Sequence, residues 1–189
     1  MANTTHPIET LVQTIYYKGI AFELVERPDV LWVGCVDYAE NNTDESDIGA
    51  TLKRFQTLVG TVPINNKINP DWSASLSIHY TCADKPCGIM FANETYAGEQ
   101  DTRYDTLTQP GGLWLRVRND ADAATKLLGK ESAEPWEYFA GTQAPLQSAA
   151  SENGYVQNSD IPIQVEYHCH AEYGNPTHTN YAYIPVCRK

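Results

Sequence analysis

The chain has 189 residues and a formal net charge of −11, with 42% hydrophobic and 20% charged residues. This size and composition are typical of one globular domain with its own core. The acidic charge argues against direct binding of nucleic acid, which needs clustered Lys and Arg side chains. No run approaches the ~20 apolar residues of a membrane span, and the start of the chain lacks the pattern of a signal peptide. We therefore expect a cytoplasmic protein without membrane contact.

The first predicted element is a short amphipathic helix over residues 8–17, within an N-terminal extension that covers residues 1–19. An extended segment rich in Val, Phe, Trp and Tyr follows over 22–40. Pro28 should place a kink or bulge within that segment, because proline cannot donate to a central β-ladder. The helix prediction depends on apolar residues at spacings of three and four, which are Ile8, Leu11, Val12 and Ile15.

The clearest helix is predicted over 46–60, where polar residues can cap the start, Gly60 can end it, and the apolar residues form one stripe. The segment 76–81 then alternates apolar and polar residues, as a half-buried strand does. The segment 87–96 follows after a turn and is predicted to be its antiparallel partner, so the two form a hairpin.

The second part of the chain repeats this order of elements. A strand within 104–119 leads into a short helix that ends near Gly129, and a further helix is predicted over 132–141. Two last strands lie within 162–170 and 180–186. The repeat of strand, helix and hairpin predicts one α+β domain with two related halves and an antiparallel sheet.

The penultimate strand carries a carboxylate, Glu166, at its centre. Because successive side chains of a strand alternate, one of its faces is apolar and the other is polar. We expect the apolar set to pack under the helices, and the polar set to face either solvent, as in any sheet buried on one side, or a cleft. The apolar set is Ile163, Val165, Tyr167 and Cys169, and the polar set is Gln164, Glu166, His168 and His170.

This element order, with particular residues on it, resembles the GyrI-like or AraC-type effector-binding domain, a small-molecule-binding module also found in multidrug-responsive transcription regulators. The resemblance covers residues 20–187 of a single domain, 1–189. The end of the chain matches best, where Gly154-Tyr155 is followed by Glu166-Tyr167 on the next strand. The matching stretches are VERPDVLWVGCVDYAE, SLSIHYT, CGIMFANETYAG, LTQPGGLWLRVRN, SENGYV, IPIQVEYH and NYAYIPV.

The resemblance implies a curved antiparallel sheet with helices packed on it and a cleft between the halves that binds bulky aromatic, often cationic compounds. Glu166 matches the acidic position of that cleft, and His168 shares its face. A ligand cation would supply the partner that a desolvated carboxylate lacks. Cation–π attraction to the aromatic walls would add about 0.5–2 kcal/mol to the binding free energy. The aromatic residues assigned to the walls are Trp32, Tyr80, Phe91 and Trp114.

The chain also departs from the family's regulators. It has no room for a helix-turn-helix domain ahead of the module, so we expect a stand-alone binding protein. The segment 130–152 is longer than its counterpart in the family, which affects the shape of one side of the expected cleft.

Two other functions remain open. Some GyrI-like relatives hydrolyse reactive electrophilic compounds in the same cleft, where Glu166 would act as general base and Tyr80 or Tyr167 as hydrogen-bond donor. Tyr167 is the weaker choice, because alternation sends it to the opposite face. The other function is protein–protein inhibition of a gyrase by a negative surface that mimics nucleic acid, although the negative charge of this chain is spread out.

Three histidines near the end of the chain make a poor metal site, because the cysteine between two of them points to the opposite face. Cys82 and Cys87 flank a predicted turn, where two thiols could reach disulfide distance, but in the cytoplasm we expect free thiols. No nucleotide-binding or other cofactor motif is present, and we expect neither cofactor nor metal. The histidines are His168, His170 and His178.

Overall fold

A computed structural model shows one sheet of ten antiparallel strands with helices on one of its faces. The structure describes residues 8–39, 45–70, 72–79, 85–141, 144–169 and 180–189. The strands are β1 (Thr10–Tyr17), β2 (Ile20–Arg27), β3 (Val30–Ala39), β4 (Trp72–Ile78), β5 (Cys87–Thr95), β6 (Asp105–Gln109), β7 (Gly112–Asn119), β8 (Tyr155–Gln157), β9 (Ile163–Cys169) and β10 (Asn180–Arg188). The helices are α1 (Glu45–Val59), α2 (Ala121–Ala123) with a π-helical continuation (Ala124–Leu128), a 3-10 helix (Pro135–Tyr138) and α3 (Pro145–Glu152).

The sheet order reveals the two related halves that the sequence predicted. The strands lie in the order β1-β2-β7-β10-β9-β4-β5-β3-β6, and β8 pairs with β10. The trio β3-β5-β4 of the first half therefore mirrors the trio β7-β10-β9 of the second. The halves meet where β4 pairs with β9, and this pairing is called the seam below. The predicted α+β fold with two strand–helix–hairpin halves is confirmed.

The predicted helix over residues 8–17 is wrong, because this segment forms the edge strand β1. A two-residue turn at Lys18 and Gly19, with φ of 50° and 76°, connects β1 to β2 as a tight hairpin. Ile15 is buried in β1, whereas Leu11 and Val12 are 53% and 51% exposed. The helical spacing of the apolar residues was therefore incidental.

The kink expected at Pro28 is a complete break between two strands. Arg27 ends β2, which pairs with β7 of the second half, and Val30 begins β3, which pairs with β5 of the first half. The sequence shows a single extended segment here, because the residues on both sides of Pro28 have equally high strand propensity.

The helices lie close to their predicted positions. The Asp120 side chain accepts a hydrogen bond of 2.9 Å from the Ala123 N–H at the start of α2, and Gly129, with φ of 69°, ends its π-helical continuation. The helix predicted over 132–141 is only the 3-10 turn Pro135–Tyr138. Within the described residues, no helix is long and apolar enough to cross a membrane.

The helices pack on the face of the sheet that carries Glu166, so the prediction that they cover the face of Val165 and Tyr167 is wrong. Ala182 lies opposite Glu166 in β10 and belongs to the core formed with α3. On the other side of the seam, Cys35 of β3 packs in the core formed with α1. We call this face, with Glu166, Ala182 and Cys35, the helix face.

The opposite face is lined by rings and is called the aromatic face, defined by Trp32, Trp72, Trp114, Tyr167, Tyr181 and Tyr183. The sheet curls around this face. Three strand steps separate β3 from β9, about 14 Å in a flat sheet, yet the ring centroids of Trp32 and Tyr167 are 5.6 Å apart. The curvature of the sheet therefore buries the side chains of this face against one another.

Candidate functional site

Glu166 lies at the seam, between the cores of the two halves. It sits opposite Ser75 of β4 on one side and Ala182 of β10 on the other. The core under α1 covers β3 and β5, and the core under α3 covers β7 and β10, so β4 and β9 lie between them in the sheet. The Glu166 side chain is nevertheless only 8% exposed.

The surroundings of Glu166 favour its neutral form. Burial raises the pKa of the carboxyl to about 7, a hydrogen bond from the Ser75 hydroxyl opposes that rise, and repulsion from Glu134 adds to it. The backbone N–H of Trp136, in the 3-10 helix, also donates to the carboxylate and lowers the pKa. Among the described residues, no Lys or Arg forms an ion pair with Glu166. The described partners of the carboxylate are thus two neutral donors, and no described Lys or Arg pairs with it.

Other polar side chains of the seam surround the carboxylate. Ser75 Oγ is 3.3 Å from Nε2 of the partly buried His168, so Ser75 lies between His168 and Glu166. Ser73 and Ser77 alternate with Ser75 along the same face of β4 and are half-buried. The floor of the site is therefore a patch of hydroxyl, imidazole and carboxyl groups. Ser75 was not predicted as a site residue, although it belongs to the alternating serines of WSASLSI.

Two aromatic residues lie on the helix face near Glu166. Phe91, one of the predicted wall residues, is half-buried in β5 directly opposite Ser75. Trp136 was not predicted; its backbone N–H contacts Glu166 and its side chain is 49% exposed. Tyr80, another predicted wall residue, lies outside the described residues.

The structure does not bring Trp32 and Trp114 to the site. Both are fully buried on the aromatic face, on the opposite side of the sheet from Glu166. Trp32 donates a 2.9 Å hydrogen bond from Nε1 to Gln109. A match of strand positions, on which their assignment depends, does not fix which face of the sheet a side chain occupies.

The aromatic face buries charges as well, but these are paired. Arg27 is fully buried, donates to Glu94 and lies 3.2 Å from Glu9. Its guanidinium stacks 5.4–5.5 Å from the rings of Trp114, Tyr167 and Tyr183. Burial alone would lower the pKa of Arg27, but the combined attraction of Glu94, Glu9 and the neighbouring tyrosine hydroxyls outweighs burial and raises the pKa above its usual range.

A second arginine extends this network. Arg116 contacts Glu9 at 2.5 Å and Glu23 at 2.6 Å, and donates a 2.9 Å hydrogen bond to the Tyr183 hydroxyl. Its guanidinium also lies 5.0 Å from the centroid of the Tyr181 ring. The aromatic face is therefore a buried core whose ion pairs extend to Glu9, just before β1.

Within the described ranges, no group of three or more His, Cys, Asp or Glu side chains could hold a metal ion. His170 and His178, two of the three histidines considered from sequence, lie outside these ranges, and so does Cys82. Cys87 begins β5 and is partly buried.

Known structures share this fold. A bacterial transcription regulation protein from Staphylococcus aureus MU50 superposes with a TM-score of 0.59 at 14% identity, covering 89% of this chain and 99% of the other. The C-terminal domain of EcmrR superposes with a TM-score of 0.57 at 13% identity, covering 89% of this chain and 98% of the other. SAV2435 bound to tetraphenylphosphonium superposes with a TM-score of 0.58 at 14% identity, covering 88% of this chain and 93% of the other.

The predicted resemblance to effector-binding domains is therefore confirmed at the level of the fold. Neither models of protein families nor curated protein sequences match this chain.

Proposed function

We propose that this chain binds an organic cation that carries an aromatic group, with Glu166 as the counter-ion. The observation that carries the proposal is a carboxyl only 8% exposed, without an ion pair to Lys or Arg among the described residues. Ionising such a group costs several kcal/mol unless a positive charge faces it. A bound cation would remove that cost, so binding and ionisation would favour each other.

The neighbourhood supports an aromatic ligand. Phe91 lies two strands from Glu166 on the same face, and the exposed Trp136 ring belongs to the 3-10 helix whose backbone contacts the carboxylate. A cation near such rings gains about 0.5–2 kcal/mol from their π-electrons. The net charge of −11 would also attract cations to the protein. The tetraphenylphosphonium complex of SAV2435, a protein of the same fold, is a further supporting observation.

The test compares tetraphenylphosphonium binding to the wild type and to Glu166→Gln by isothermal titration calorimetry at pH 8. We expect the variant to bind at least about tenfold more weakly, a loss of about 1.4 kcal/mol. Glu131→Gln, at an exposed position, changes the net charge equally and should leave the affinity within about twofold. Equal binding by Glu166→Gln and wild type would refute the proposal.

Hydrolysis of an electrophilic ligand is a second candidate for the same site. A carboxyl with a pKa of about 7 suits a general base at neutral pH. It would take a proton from a water molecule whose oxygen attacks the electrophilic carbon. Tyr167 lies on the aromatic face and is remote from this chemistry. Mass spectrometry of a bound electrophile distinguishes the two candidates, because hydrolysis adds the mass of one water and binding returns the compound intact.

A further inference from the structure

Gln164 is another buried polar side chain of β9, and it makes no hydrogen bond within the part of the chain that the structure describes. It is 1% exposed, and neither its amide nitrogen Nε2 nor its oxygen Oε1 has a partner among the described residues. Buried amides are nearly always hydrogen-bonded in folded proteins, because water otherwise solvates them better. With respect to the described residues, the buried Gln164 amide therefore has an unused donor and an unused acceptor.

Gln164 belongs to the same face as Glu166. The two residues are separated by one position in a strand, so both project from the helix face, with their backbones about 6.6 Å apart. The cross-strand neighbours repeat this geometry: Gln164 lies opposite Ser77, and Glu166 lies opposite Ser75. The unsatisfied amide is thus part of the polar floor that surrounds the carboxylate.

This floor fits a directional ligand better than a featureless cation. A phosphonium or quaternary ammonium ion has no N–H group, so it could neutralise Glu166 but would leave Gln164 unsatisfied. A planar cation with several N–H donors would give one to the carboxylate and another to Gln164 Oε1. An acceptor atom or a ring face of the ligand could receive the Gln164 Nε2–H.

We propose that the site prefers hydrogen-bonding aromatic cations, such as amino-substituted heteroaromatic or amidinium compounds, over permanently charged cations without N–H groups. This inference rests on the proposed function, since it assigns a ligand class to the same carboxylate. Gln164 acts as the specificity-determining residue, and Glu166 supplies the charge.

The test uses two acridinium dyes of similar size. Proflavine carries N–H donors on its ring nitrogen and amino groups, whereas 10-methyl acridine orange has the same ring system fully methylated. Fluorescence titrations at pH 8 should show the wild type binding proflavine about tenfold or more tightly than the methylated dye, as expected for hydrogen bonds that include a charged partner. This comparison needs no variant, so it remains informative if a substitution prevents folding.

Gln164→Met keeps the length of the side chain but removes its polar atoms. It should weaken proflavine binding about tenfold and change binding of the methylated dye less than about twofold. Gln56→Met, at an exposed position of α1, is the matched control and should change neither. A wild type that binds both dyes equally, or a Gln164→Met variant that weakens both equally, would overturn the inference.

The two proposals fail in different ways. If both dyes bind equally and both lose affinity in Glu166→Gln, only the role of Gln164 is wrong. If neither dye binds the wild type, the proposed function itself fails.

Discussion

The two faces of the curved sheet both bury ionisable side chains, but they surround them differently. On the aromatic face, Arg27 meets carboxylates and three rings, and the network continues through Arg116. On the helix face, Glu166 has only a hydroxyl and a backbone N–H as donors, and Gln164 has no partner among the described residues. Burial is similar in the two places, whereas the pairing of charges differs.

This difference indicates that the charges of the aromatic face form a structural network, whereas Glu166 on the helix face belongs to a candidate binding site. The ion pairs of the aromatic face link distant parts of the sheet: β2 and β5 are five strand steps apart, about 24 Å in a flat sheet, yet Arg27 of β2 contacts Glu94 of β5. Such contacts hold the sheet curled. Buried polar atoms without a hydrogen bond occur on both faces. The faces differ in the partners of their carboxylates: among the described residues, Glu9 and Glu94 each face an arginine, whereas Glu166 faces no Lys or Arg.

The largest effect is expected from breaking the network on the aromatic face. Arg27→Met removes the cation that faces Glu94 in a fully buried place and should lower the free energy of unfolding by about 3–5 kcal/mol. Arg54→Met breaks an exposed ion pair with Asp105 and should cost at most about 1 kcal/mol. Urea denaturation at pH 7 measures both. Similar losses in the two variants would contradict the structural role given to Arg27.

Glu166→Gln should instead raise the free energy of unfolding, and the size of this gain should depend on pH. The pKa of Glu166 in the folded protein is raised from 4.5 to about 7, so the folded state holds the proton more tightly than the unfolded chain. The carboxyl therefore favours folding most below pH 4.5, and this contribution is lost as the pH rises through 7. At pH 8 the loss approaches roughly 3 kcal/mol.

The variant cannot ionise at this position, so relative to wild type it should gain stability between pH 5 and pH 8 and little at pH 4. Denaturation curves across this range, with Glu131→Gln as control, measure the gain. A pH-independent difference between Glu166→Gln and wild type would show that Glu166 titrates normally.

The smallest effect is expected from Ser75→Ala. The Ser75 hydroxyl donates to the Glu166 carboxylate and lowers its pKa, so its removal should move the pKa upward. The pH midpoint of tetraphenylphosphonium binding, which should follow ionisation of Glu166, would then shift to higher pH. Ser148→Ala on α3 is a control that should leave the midpoint in place. A downward shift in Ser75→Ala would contradict the hydrogen-bond assignment.

Periodicity predicted most of the fold. The stripe of α1, the hairpin of β4 and β5 and the repeated element order were all visible in the sequence. The segment over residues 8–17 was misassigned because four apolar residues at helical spacing outweighed its β-branched and aromatic content. Only pairing with β2 decides its structure, and pairing is a long-range property.

The site was predicted only in part. Alternation correctly separated Glu166 from Tyr167, but it could not tell which face the helices cover, because alternation treats the two faces alike. For the same reason the strand positions of Trp32 and Trp114 could not show that both side chains lie on the aromatic face, opposite Glu166. Ser75 and Trp136 reach Glu166 from a neighbouring strand and a separate turn, and that proximity depends on the tertiary fold.

The seam has a consequence for how this sequence tolerates insertions and deletions. Its register places Glu166 opposite Ser75 and Val165 opposite Leu76. A slip of a single residue in β9 would exchange the two faces, which would put Glu166 among the packed rings and Tyr167 among the serines. A one-residue length change within β9 should therefore disturb both faces at once, whereas substitution of a single side chain disturbs one.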